Sequence, residues 1–263
     1  MLNLKGISKV FNRGTVDEKI ALAEVNLSLE PGDFVTVIGS NGAGKSTLMN
    51  IISGALTPDT GTIEIDGEVV NHLAEHQRSL KIGRVFQDPM AGTAPTMTIE
   101  ENLAMAYSRN KKRTLRRGVN KERREQFRQY LASLNLGLEN RLSAKVGLLS
   151  GGERQALSLL MATFTEPKVL LLDEHTAALD PARAQLITDL TKEVVERSKL
   201  TTLMVTHNMK QALDLGNRLI MMDKGSIILD IREGKNELTI EQLLKEFERL
   251  KGEKLASDRV MLA

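Results

Sequence analysis

The run Gly39-Ser40-Asn41-Gly42-Ala43-Gly44-Lys45-Ser46-Thr47 leaves this chain few ways to fold. Its spacing, G-x-x-x-x-G-K-[ST], works only as a tight loop between a strand and a helix. Both flanks comply: Phe34-Val35-Thr36-Val37-Ile38 suits a buried strand, and the residues from Lys45 onward read as a helix. Glycines let the backbone curl until successive N–H groups point inward, and the helix dipole adds positive potential at the same point. Such a loop cradles the phosphates of a nucleoside triphosphate. All nine residues are expected to line it, with Lys45 reaching the β- and γ-phosphates and Ser46 offering its hydroxyl to Mg²⁺.

The rest of the chain supplies an α/β frame for that loop. Residues 22–29 alternate imperfectly, as an antiparallel strand can, and Thr62-Ile63-Glu64-Ile65 alternates cleanly into the hairpin signal Asp66-Gly67. A short strand at 82–86 ends at Gln87. From about residue 92 the pattern turns helical. Helices are expected at 100–107 and 121–134, the second with Phe127, Tyr130, Leu131 and Leu134 on one face. After residue 165 two continuous apolar runs, Val169-Leu170-Leu171-Leu172 and Thr202-Leu203-Met204-Val205, read as strands buried on both faces. A helix over 181–197 between them makes a βαβ unit. Lys224-Gly225 marks a closing hairpin, and Thr239 with Gln242 forms a capping box that opens a last amphipathic helix. A tail is expected at 253–263.

Composition narrows the surroundings. With 36 basic and 34 acidic residues the formal charge is +2, which gives no reason to expect nucleic acid as a partner. The basic stretch from Lys111 to Arg128 reads as a solvated face or, beneath a membrane, as an attraction to anionic lipid heads. There is no cysteine, so disulfides and thiolate metal sites are excluded. No apolar stretch is long enough to span a membrane and the first residues lack a signal peptide's pattern. The expected location is the cytosol or the cytosolic face of a membrane, held there by a partner.

Two further motifs complete a site. The run 169–172 delivers Asp173-Glu174 to the carboxyl end of a strand, where open α/β sheets bind ligands. Asp173 is placed to hold Mg²⁺, and Glu174 to act as base or orienting carboxylate for an attacking water. Ser150-Gly151-Gly152-Glu153 opens a helical pattern, so its backbone N–H groups and the Ser150 hydroxyl offer a second anion site, or simply a helix cap.

These residues together resemble the ATP-binding cassette (ABC) ATPases, the nucleotide-binding subunits of ABC transporters. Residues 39–47 match the family's Walker A loop, 169–174 its Walker B strand with catalytic glutamate, and 150–152 its signature. Gln87 matches the glutamine loop, Ala178-Leu179-Asp180 the D-loop and His207 the switch histidine, while Phe11 lies where a ring stacks on adenine. The resemblance implies a P-loop NTPase fold of ABC type over 1–252. It implies a mixed, largely parallel sheet core, an antiparallel β subdomain and a helical lobe at about 92–165. It further implies a head-to-tail homodimer with ATP between one Lys45 loop and the other subunit's Ser150. By the same resemblance Glu174 would be the base, His207 and Gln87 would contact the γ-phosphate, and Gln87 would also join Ser46 and Asp173 around Mg²⁺. Two departures stand out: Glu153 where the signature has glutamine, and His175 where proline commonly follows the glutamate. His175 is expected to be a tolerated loop residue, and His72 and His76 surface residues.

Finer resemblance, in residues 12–19, 83–90 and 173–178, is to bacterial importers assigned to amino acids, including tryptophan and tyrosine, and to unknown solutes. It implies a transmembrane permease, docking near 87–102, and an extracytoplasmic solute-binding protein. Two other readings are weighed. A soluble ABC ATPase acting on DNA or ribosomes usually carries a long coiled coil or a second cassette, and this chain has neither. A regulatory module without turnover is disfavoured by Glu174 and His207.

Overall fold

The computed structural model describes residues 1–111 and 118–261. The chain opens with β1 (Leu2–Phe11) and β2 (Lys19–Leu29), then β3 (Phe34–Gly39), the glycine loop and α1 (Lys45–Ser53). There follow β4 (Thr60–Ile65), β5 (Glu68–Val69), the short α2 (Glu75–Arg78) and β6 (Ile82–Val85). Helices α3 (Ile99–Tyr107), α4 (Lys121–Ala132) and α5 (Gly151–Thr163) come next. The α/β pattern then resumes with β7 (Val169–Asp173), α6 (Pro181–Ser198), β8 (Thr201–Val205) and α7 (Met209–Asp214). The chain ends with β9 (Arg218–Asp223), β10 (Ser226–Ile231) and α8 (Ile240–Met261).

Two sheets result. Strands β2-β1-β4-β5 form an antiparallel sheet; β10-β9-β3-β8-β7-β6 form a second, parallel except for β10 against β9. The continuous apolar runs are explained by what covers the parallel sheet. Successive residues of a strand face opposite sides. Leu170 and Leu172 therefore enter the core beneath α3–α6, while Val169 and Leu171 enter the core shared with α1 and the antiparallel sheet. With both faces covered, no position of β7 before Asp173 tolerates a polar side chain.

Both hairpin signals form tight turns with two positive-φ residues, Asp66 (55°) and Gly67 (80°), and Lys224 (43°) and Gly225 (79°). In the helical region Phe127, Leu131 and Leu134 are buried, while Tyr130 sits at the rim against Phe164, 4.9 Å between ring centres. Of the basic stretch, Lys112, Arg113, Arg116 and Arg117 lie outside the described residues. Within them, Arg124 forms a two-point ion pair with Glu100, Arg128 pairs with Glu125, and Arg123 donates to the Gly118 carbonyl. These three cations are spent on local contacts rather than presented to a partner. The capping box Thr239–Gln242 is present, and α8 continues to Met261, past Gly252, after which the sequence predicts a tail. One helix-interior glycine costs only about 1 kcal/mol, and good helix formers flank it.

Candidate active site

The site forms at the carboxyl ends of β3, β7 and β8, adjacent in the sheet. Gly39 ends β3 so close to its neighbour that a Cβ would meet the Met222 carbonyl oxygen at 2.2 Å. Gly44, at φ 101°, begins α1, and a Cβ there would meet the Ala21 carbonyl oxygen at 2.4 Å. Lys45 is buried, and its ammonium folds over its own loop to donate to the Gly39 and Ser40 carbonyls (2.7 and 3.0 Å). Burial pushes this lysine below its ordinary range, against the pull of the Glu174 and Asp173 carboxylates beside it.

A cleft of about 170 Å³ runs over this loop and holds Phe11, residues 41–47, Glu174 and His207. Gly39 and Ser40, also expected in the cradle, do not line this cleft; they line a neighbouring pocket with Thr206, His207 and Phe247. Glu174, mostly buried, lies 2.5 Å from His207 Nε2. Its backbone is left-handed, φ 45°, which costs on the order of 1 kcal/mol for a residue with a side chain. The N–H of Glu174 donates to the Val205 carbonyl (3.0 Å), tying the end of β7 to β8. Phe11 is about one-third exposed at the mouth.

Asp173 is gripped from behind. Arg84 donates to its Oδ2 (3.1 Å), to Asn50 Oδ1 (2.8 Å) and to Ser53 Oγ (3.1 Å), and stacks on Phe86, 4.6 Å from the ring centre. Gln87 is exposed two residues beyond β6 and lies outside the cleft lining. Ser150–Gly152 also lie outside it. Ser150 caps α5: its hydroxyl accepts from the Glu153 N–H (3.3 Å), and its own N–H donates to Glu153 Oε2 (2.7 Å). Glu153 therefore closes a capping box and also meets Arg141 at 2.7 Å. Burial alone would raise the Glu153 carboxyl, but the Ser150 contacts and Arg141 outweigh it and hold it below the usual range. Gly151 and Gly152 face α6 and the segment before it: added Cβ atoms would lie 3.2 Å from Leu179 and Arg183.

His175 lies in the turn after β7, as expected of a loop residue, but not at the surface. It is fully buried with Nε2 3.0 Å from Thr191 Oγ1, and burial pushes it down to about 4, so it is neutral. A strand end covered by α6 leaves it no path to solvent. His72 and His76 are exposed, and among the described residues no cluster of three His, Asp or Glu is placed to hold a metal. Three further residues escaped the sequence: Arg84, Lys19 and Gln211. Lys19 pairs across from Phe11 and brings its ammonium within 3.6 Å of where a Gly42 Cβ would stand, adding a cation at the mouth. A lysine at the start of a strand carries no signal of this kind on its own.

Comparison with known proteins agrees with this geometry. Residues 22–177 match the ABC transporter family model. The tyrosine transport ATP-binding protein of Clostridioides difficile (strain R20291) is 44% identical over 249 residues, 94% of this chain and 99% of that protein. The methionine import ATP-binding protein of Mannheimia succiniciproducens is 34% identical over 87% of this chain and 64% of its own. Among solved structures, a dimeric ATP-binding cassette in a post-hydrolysis state, bound to ADP and phosphate, superposes with a TM-score of 0.75 at 30% identity, covering 88% of this chain and 98% of that one. The chain belongs to the ABC transporter family. It is one of the ATP-binding, ATP-hydrolysing subunits of that family, and its relatives select the transport reading over an ATPase acting on DNA or ribosomes.

Proposed function

We propose that this subunit powers a bacterial importer of an amino acid or similar small solute. The observation that supports it most is the Glu174–His207 pair at 2.5 Å, at the end of the cleft that holds Lys45, in a chain 44% identical along its length to a tyrosine transport subunit. ATP would lie along the glycine loop with its adenine on Phe11. The Lys45 ammonium exchanges the Gly39 and Ser40 carbonyls for phosphate oxygens. Ser46, Asp173 and Gln87 are hard oxygen donors, a set that suits Mg²⁺, which shares its shell with phosphate and needs few protein ligands. When bound, Mg²⁺ neutralises charge on the β- and γ-phosphate oxygens.

Glu174 then orients and deprotonates the attacking water, while His207 holds Glu174 and contacts the γ-phosphate with Gln87. Ser150, with its hydroxyl oxygen accepting from the Glu153 N–H, keeps an O–H to donate. It would be donated to the γ-phosphate bound on a second copy, since Ser150 does not line its own chain's cleft. The subunit would sit peripherally on the cytoplasmic face of the membrane, bound to a permease that a solute-binding protein loads from outside. No described helix is long and apolar enough to cross a membrane.

Three measurements test this. Steady-state phosphate release should fall by about 10²–10⁴-fold in Glu174→Gln with ATP still bound, the range of general-base catalysis. Lys45→Ala should weaken ATP itself by about 1.5–3 kcal/mol, the worth of hydrogen bonds to a charged group. Wild-type turnover in Glu174→Gln would remove the base assignment. Capture of the tagged chain from mildly solubilised membranes should bring a multispan permease; recovery with soluble partners alone would remove the importer assignment.

A further inference from the structure

The Glu174 and His207 loops follow different strands, β7 and β8, yet one side chain is bonded to both. Gln211, on the first turn of α7, meets Thr206 Oγ1 at 3.0 Å, directly before His207. Its Nε2 donates to Thr176 Oγ1 (3.1 Å), two residues after Glu174, and to Thr188 Oγ1 (2.7 Å) on α6. The hydroxyls dictate which way the amide points. Thr188 Oγ1 donates to the Ala184 carbonyl (2.8 Å), so it can only accept from position 211. Thr206 Oγ1 accepts from the Asn208 N–H (3.1 Å), so its O–H is the one left to donate to Gln211 Oε1. A carboxamide satisfies both at once; a carboxylate cannot donate to Thr188 and an alkyl chain satisfies neither.

Helix α6 holds the same loop a second time. Thr191, three residues after Thr188, lies 3.0 Å from the buried His175, the residue after Glu174. The same helix begins at Asp180, whose carboxylate accepts from the Arg183 N–H (3.1 Å), beside the Ser150–Gly152 segment. The Gln211 contacts with Thr176, Thr188 and Thr206 line a cleft of about 790 Å³ that runs from Glu174 and His207 between α6 and α7.

We propose that Gln211 is a positioning residue for ATP hydrolysis: its amide locks the His207 loop to the Glu174 loop and ties both to α6. The inference rests on the reading of Glu174 and His207 as hydrolytic groups. Glu174 has a left-handed backbone and so needs neighbours that over-determine it. A shift of α6 is passed by one side chain to both loops, and a small misplacement of a water-orienting pair is costly in rate.

The test is a double-mutant cycle on the full chain, reading kcat, KM, ATP affinity and urea midpoint. Gln211→Glu keeps the shape but exchanges the donor for a charged acceptor; Gln211→Ala removes the tether. Both should lower kcat about tenfold while ATP affinity stays within about twofold, an orientation effect without a binding effect. On a His207→Ala background the same substitutions should change kcat by less than about twofold, because the effect acts through His207. Wild-type kcat in either variant, or losses that multiply fully on the His207→Ala background, would overturn the proposal. If His207→Ala and Glu174→Gln themselves turn over normally, the fault lies in the reading of the site, which the single variants expose separately.

Discussion

Asp173 depends on Arg84 more than on any residue near it in sequence. The two side chains are 13% and 15% exposed and 3.1 Å apart, so neither charge is well solvated. Removing one partner of such a pair leaves the other stranded, a loss of about 3 kcal/mol when burial is complete and less at this partial exposure. Arg84→Met is therefore expected to lower unfolding stability by about 2 kcal/mol in a urea titration, with part of the loss recovered by Mg²⁺ and ATP, which supply the missing cation. An unchanged midpoint would mean that the pair contributes nothing to the fold. This residue also shows where sequence reading stops. Lys45, Ser46, Asp173 and Glu174 were legible because each is named by its immediate neighbours. Arg84 and Gln211 act on partners brought close only by the sheet, Asp173 lying 89 positions from Arg84 and Thr188 23 positions from Gln211.

Among the elements, those with a local signature were legible and those without were not. The turns at Asp66-Gly67 and Lys224-Gly225 and the buried runs of β7 and β8 need no distant information. Strand β1 escaped because its alternation of Leu2, Leu4 and Ile7 is broken at Gly6 (φ 61°), where its register against β2 shifts. The turn before α8 also escaped. There Lys235 is buried and donates to the Leu215 and Gly216 carbonyls, fastening the C-terminal segment beneath α7. Burial pushes this ammonium down to about 8 from 10.5, despite Asp214 nearby. Between those values the unfolded chain holds the proton that the folded one has shed, so stability rises as pH rises through this window and the full penalty applies below it. Wild-type unfolding free energy should gain on the order of 1–3 kcal/mol from pH 8 to 10.5, and Lys235→Met should show little of that slope. Parallel slopes would place Lys235 in solvent-like surroundings in the folded protein.

At the scale of the whole molecule, the two anion sites of one chain do not meet. Lys45 and Glu174 share a cleft, while Ser150 caps α5 beside α6 and is not part of that cleft. In the proposed function a single chain offers one half of two different sites, which a closed pair of chains would join. In that proposed dimer the carboxylate of Glu174 would oppose closure, since it would place negative charge beside the γ-phosphate at the junction. Its conversion to an amide removes both the repulsion and the hydrolysis that would reopen the pair. Glu174→Gln with Mg²⁺ and ATP should therefore sediment at twice the 29.1 kDa chain mass, and return to the monomer when ATP is replaced by ADP. Adding Ser150→Arg should abolish the dimer while leaving ATP bound to Lys45, because the arginine projects from the α5 N-terminus into the second phosphate site. A Glu174→Gln chain that stays monomeric at saturating ATP would show that a second copy alone does not complete the site.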